Sequence, residues 1–95
     1  MINFIDANKA IDRLLAVARG DTGQSGKVAR FLLAWWNAEQ QGGFDLTDLW
    51  AVDEDIAADM LTFIQYISVV RSYPDSMGYG PQFEEIVQLW GRVKT

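Results

Sequence analysis

The chain has 95 residues, 49% of them hydrophobic and 13% aromatic, with no cysteine, no histidine and a formal charge of −5. This length suits one domain spanning 1–95, and the apolar content is enough to close a core without disulfides or metal, which argues against a disordered chain. The missing cysteine and histidine exclude a disulfide framework, a thiolate metal site and imidazole as base or ligand, and the lack of thiols fits a reducing cytoplasm.

The first segment has no basic leader, and Asp6, Asn8, Lys9, Asp12 and Arg13 interrupt its apolar residues, so it does not read as a secretory signal. No apolar run approaches the roughly 20 residues of a membrane span, and a cytoplasmic location is expected. Phe4, Ala7, Ile11, Leu14, Leu15 and Ala18 recur at spacings of three and four, which predicts a helix over 4–18 with one buried face. Asn3 suits its start and Gly20 lies just past its end. The stretch from Gly20 to Gly26 is rich in turn formers and reads as a linker, with Ser25 capping the next helix. With Lys27 it resembles a phosphate-binding loop only superficially. Asp21 stands where the first glycine belongs, and Val28 stands where a magnesium-binding hydroxyl belongs.

A second helix is expected from about Lys27 to Gln41. Val28, Phe31, Leu32, Trp35 and Ala38 or Glu39 form its main stripe, and Ala29, Leu33 and Trp36 widen that stripe enough to suggest the central element. Neighbours on a helix diverge by about 100°, so one of Trp35 and Trp36 should enter the core while the other covers a second helix or stays partly open. Gly42 and Gly43 stop the helix, and Phe44 should fold back onto the core. Asp45 to Trp50 suits a short helical turn. Glu54 to about Arg71 suits a long helix with a stripe of Ile56, Met60, Phe63, Ile64, Ile67 and Val70. Its β-branched end leaves a strand as a minor alternative, and Pro74 should end it. After a loop from Ser72 to Gly80, Pro81 opens a final helix with Phe83, Ile86, Val87 and Trp90 on one face. Gly91 ends it, and Arg92 to Thr95 should fray. The fold class is therefore all-α: a compact irregular bundle of four main helices plus a short turn helix.

Charge is unevenly distributed. Residues 31–70 hold seven acidic side chains and no basic one. Asp45, Asp48, Asp53, Glu54, Asp55 and Asp59 form the longest acidic run. A calcium loop would need a central glycine and a closing glutamate that this run lacks. Paired-carboxylate catalysis would need a cleft that a small helical domain rarely has. A solvated face explains much of the run, because capping and the helix dipole favour carboxylates at several of these positions. A surface for a basic protein partner explains the same residues, whereas direct binding of nucleic acid is opposed by charge. The second polar feature is the loop with Arg71, Tyr73, Met77 and Tyr79, whose composition suits either a binding surface or a loop pinned to the core by Tyr73 and Met77. No cofactor, metal or catalytic set is expected.

The stretches RFLLAWWNAEQQGGFDLTDLWAVD, residues 30–53, and RSYPDSMGYGPQFEEIVQLW, residues 71–90, resemble a family of small bacterial proteins of unknown function. That family is associated with integrative conjugative elements and related mobile DNA in proteobacteria. The words WWNA, GGFDLTDLW and RSYPD carry the resemblance, which covers about half the chain in two pieces, and the first thirty residues add nothing to it. The resemblance implies no catalytic residues. By analogy with small acidic anti-CRISPR proteins, it implies a non-enzymatic inhibitor that engages a nucleic-acid-binding defence complex. Asp45, Asp48, Asp53, Glu54, Asp55, Asp59, Arg71, Tyr73 and Tyr79 are the expected partner-binding residues. Neutralising Asp48, Asp53, Asp55 and Asp59 should weaken binding without unfolding. The alternative is an assembly module, a homodimer through exposed aromatics around Trp36, Trp50 and Tyr79. An enzyme with a pocket under the 73–79 loop is a third class.

Overall fold

Small apolar side chains give α1 (Phe4–Ala18) its position in the bundle. Ala7, Ala10 and Ala18 are buried together with Ile11, Leu14 and Leu15, and the alanines let neighbouring helices approach closely. The computed structural model describes residues 4–92, so the expected cap at Asn3 and the expected fraying of Val93 to Thr95 lie outside the described residues. Phe4 departs from the buried stripe. It is 60% exposed and meets Tyr66 edge-on at 5.5 Å between ring centroids.

The expected linker from Gly20 to Gly26 is mostly helix. α2 (Gly23–Gln41) starts four residues earlier than its apolar pattern suggests, because Thr22 rather than Ser25 is the cap. The Thr22 hydroxyl accepts the Ser25 N–H at 3.1 Å, and Ser25 is buried with its own hydroxyl 2.9 Å from that of Thr22. Gly26 belongs inside the helix for a packing reason: a β-carbon there would come within 3.0 Å of the Trp90 ring.

α2 is broken near its end. Asn37 has extended backbone angles, φ −162° and ψ 81°, and its side-chain oxygen accepts the Gln40 N–H at 3.2 Å. Asn37 thus leaves one helical run and caps a last turn that ends at Gln41. Gly42 stops that turn at φ +93°, and a β-carbon there would meet the Arg92 guanidinium at 2.6 Å.

Phe44 folds back as expected, edge-on to Phe31 at 5.3 Å. A 3-10 turn follows at Leu46–Ala51, capped by Asp45. α3 (Glu54–Val69) buries Met60, Phe63 and Tyr66, with Ile56, Ile64 and Ile67 partly covered. Its β-branched end simply stops at Val70, and no strand forms among the described residues. The loop before α4 contains a second 3-10 turn, Pro74–Met77, which the sequence reading did not anticipate. Pro74 opens it because its fixed φ suits a first helical position. α4 (Gly80–Trp90) buries Phe83, Ile86 and Val87 and ends at Gly91.

The hub of the bundle is α1, not α2. α1 packs against α2, α3 and α4, whereas α2 packs mainly against α1 and α4. The core is shared nonetheless. Trp35 of α2 reaches Phe63 of α3 at 4.7 Å and Phe83 of α4 at 5.4 Å, so one ring joins three helices.

The helix ends near this core are closed by polar bonds rather than left to water. The Trp90 indole N–H donates to the Ala18 carbonyl at 2.9 Å, at the end of α1. Arg30 donates to the Gln41 carbonyl at 3.0 Å and also to the Trp90 carbonyl. Gln41, itself buried, accepts the Arg92 N–H at 2.8 Å. These bonds satisfy carbonyls that the last turn of each helix cannot satisfy internally, and they place positive charge where the helix dipoles favour it.

Candidate functional site

The strip from Gly42 to Asp59 leaves the bundle and returns to it. Gly42 ends α2, Phe44 anchors on Phe31, and Leu49 and Val52 pack against the core. The remaining apolar side chains of the first 3-10 turn face outward. Leu46 is 70% exposed and Trp50 is 85% exposed, the most open of the large hydrophobic residues.

The carboxylates of this strip have different employments. Asp45 accepts the Thr47 N–H at 2.9 Å and the Thr47 hydroxyl at 2.7 Å, and these bonds hold its carboxyl below the usual carboxylate range. Asp53 is clamped by Gln24. Its backbone N–H donates to the Gln24 side-chain oxygen at 2.5 Å, and the Gln24 amide reaches back to its carboxylate at 3.3 Å. Asp59 takes a two-pronged bond from Arg13 of α1, at 2.7 and 2.8 Å, which raises the Arg13 guanidinium above its ordinary value. Asp48 and Glu54 make no side-chain bond to any described residue. Asp55 is exposed and acts on Arg13 only through its charge. Glu54 and Asp55 occupy the first turn of α3, where its dipole favours them. Asp55 and Asp59 also border an apolar groove of about 510 Å³ beside Ala16, Val17 and Ile56 of α1 and α3. No group of three or more metal-ligating side chains among the described residues is placed to hold a metal ion.

The second expected surface is divided. Arg71 and Tyr73 are exposed, with Tyr73 at 64%. Tyr79 is half-buried, and its hydroxyl lies 3.4 Å from the Asn8 side-chain oxygen of α1. Burial, then the charge of Asp12, pushes its phenol upward. Pro74, Met77 and Tyr79 therefore pin this loop to the core, and the sequence expectation that Tyr73 does so is corrected. Tyr79 is equally no open aromatic for a dimer contact.

A cleft opens at the break in α2, beside the 73–79 loop; its wall from α2 was not foreseen from the sequence. The cleft measures about 670 Å³ and is lined by Trp36, Asn37 and Glu39 on one side and Tyr73, Asp75 and Ser76 on the other. The Trp35 indole N–H fixes its two sides together by donating to the Ser72 carbonyl at 3.0 Å. A pocket under the 73–79 loop was among the sequence expectations. The break at Asn37 that opens the cleft was not, because the apolar periodicity runs straight through it.

A family model described as a family of unknown function, DUF7673, matches residues 8–91. The chain belongs to the DUF7673 family. The DUF7673 match begins within α1, so the N-terminal helix is part of the family domain, although the resemblance legible in the sequence starts only at Arg30. Neither the curated proteins nor the solved structures contain a match to the chain. DUF7673 membership assigns no activity, and the chemistry of the site rests on its geometry.

Proposed function

We propose that this DUF7673 domain is a non-enzymatic protein-binding module whose first 3-10 turn docks on a basic surface of a partner. The observation that carries the reading is Trp50, 85% exposed beside the open Leu46, on a strip of carboxylates. No basic residue occurs between 31 and 70. An open indole supplies the kind of anchor that dominates protein interfaces. Surrounding carboxylates speed encounter with a positive surface and reject a negative one. The same charge disfavours a symmetric dimer through Trp50, which would bring two acidic strips together. The mobile-element resemblance of residues 30–53 and 71–90 supports a particular setting: a bacterial cytoplasm in which the partner is a nucleic-acid-binding defence complex. In that setting the acidic strip occupies a basic groove that nucleic acid needs.

Affinity capture from a proteobacterial host lysate at low and moderate salt tests this, with a variant carrying Trp50→Ala, Asp48→Asn, Glu54→Gln and Asp55→Asn alongside. Asp59 and Asp53 are left intact because their carboxylates hold α1 and α2 to α3. A basic protein retained by the native chain and lost with the variant is the expected result. Identical bands from both would sink the proposal. Light scattering over a dilution series checks the competing dimer, which a strict monomer removes.

A further inference from the structure

We propose that the cleft at the break in α2 is a binding site for an arginine side chain presented by an extended peptide segment. The site is separate from the first 3-10 turn and does not depend on the reading given above.

Three observations converge on this ligand. The first is charge. Glu39 and Asp75 line the cleft from opposite sides, neither is in an ion pair with a described residue, and no lining residue is basic. Arg71, on the adjoining segment, does not line it. A cationic group is the complement, and carboxylates accept the planar, multi-donor guanidinium in paired fashion. The second is the wall. Trp36 and Tyr73 both line the cleft, Tyr73 being 64% exposed, and aromatic faces attract cations, with guanidinium able to stack on them as well. The third is an unused donor. The indole N–H groups of Trp35 and Trp90 each bond a backbone carbonyl, but that of Trp36 has no partner among the described residues. A peptide carrying the cation brings its own carbonyl oxygens, and one of these answers the Trp36 N–H. The volume of about 670 Å³ holds an arginine and part of its backbone.

The site is also built in advance of its ligand. Asn37 is held in its extended geometry by the side-chain bond to Gln40. The opposite side is held by the Trp35–Ser72 bond, with the Trp35 ring set between Phe63 and Phe83. The backbone on both sides is thus set before the ligand arrives, which favours binding.

The test is a titration of the ¹⁵N-labelled protein followed through its tryptophan indole signals, with Trp36→Phe used to assign the Trp36 signal. Acetyl-Gly-Arg-Gly-amide is the probe, and its citrulline counterpart, equal in shape but uncharged, is the control. The expected result is a saturable shift of the Trp36 signal with the arginine peptide. Affinity should fall about tenfold with citrulline or with the Glu39→Gln/Asp75→Asn variant. An unmoved Trp36 signal, equal binding of the citrulline peptide, or equal binding of a lysine peptide would each overturn the assignment. The quadruple variant of the first 3-10 turn should titrate as the native protein does, so failure at one surface is told apart from failure at the other.

Discussion

Trp35 and Trp90 lay their rings against helices and give their indole N–H groups to backbone carbonyls, at 3.0 and 2.9 Å. Trp36 is only partly covered, Trp50 is open, and neither donates to a described residue. Trp35 lies between α2, α3 and α4, and Trp90 lies where α4 meets the end of α1 and the start of α2. Trp36 lies on α2 just before its break and packs partly on the core, and Trp50 lies on the segment that leaves and rejoins the bundle. The contrast separates Trp35 and Trp90, which hold the fold, from Trp50, which the fold can do without. It also supplies a physical criterion for the distinction: whether the indole N–H is consumed inside the chain.

The comparison is broken most severely at Phe63, on which Trp35 packs. Phe63→Ala should destabilise the protein by about 3–5 kcal/mol, because it leaves a cavity between three helices. Urea denaturation reads this directly. Arg30→Met comes next, with an expected loss of about 1–3 kcal/mol, since it strips the guanidinium from the carbonyls of Gln41 and Trp90. A stability equal to wild type would show that water replaces those bonds.

Arg13→Met should have a smaller effect, confined to low salt, because the Arg13 side chain is 59% exposed. Thermal melts with and without about 1 M salt would test it, the difference from wild type shrinking in the salted sample. Asp45 gives a pH signature. Its carboxyl is depressed in the folded chain, so its contribution is complete above the ordinary value of 3.8 and disappears as pH falls through the folded value. The gap in stability between wild type and Asp45→Ala should therefore close on acidification. A gap unchanged down to about pH 2 would show that the Thr47 bonds do not discriminate between charged and neutral carboxyl. At the other end of the scale, Trp50→Ala should change stability by less than about 0.5 kcal/mol. A large loss there would mean that Trp50 serves the fold after all.

The helices were legible where one face is apolar and the other charged. α1 runs over the residues its periodicity marks, and α4 begins and ends beside Pro81 and Gly91 as their backbone preferences require. The start of α2 was not legible, because glycine-rich sequence is locally turn-like, and helix wins there through the Thr22 cap and the packing of Gly26 against the Trp90 ring. The break at Asn37 escaped for the converse reason: an apolar repeat describes direction from the axis and is blind to one residue leaving the helical angles. The candidate surface was half legible. Charge counting located the strip from Asp45 to Asp59. It could not see that Thr47, Gln24 and Arg13 engage three of the six carboxylates, whereas Trp50 was already among the aromatics expected to be exposed.

The bond from Trp90 to Ala18 joins positions 72 residues apart, and Arg30 meets the Trp90 carbonyl across 60. During synthesis, a chain that has emerged only as far as α3 has its hub helix in place yet lacks the groups that close the ends of α1 and α2. The glycine of α2 that accommodates the Trp90 ring faces nothing at that stage. Completion of the core therefore waits for the last turn of α4 to clear the ribosome.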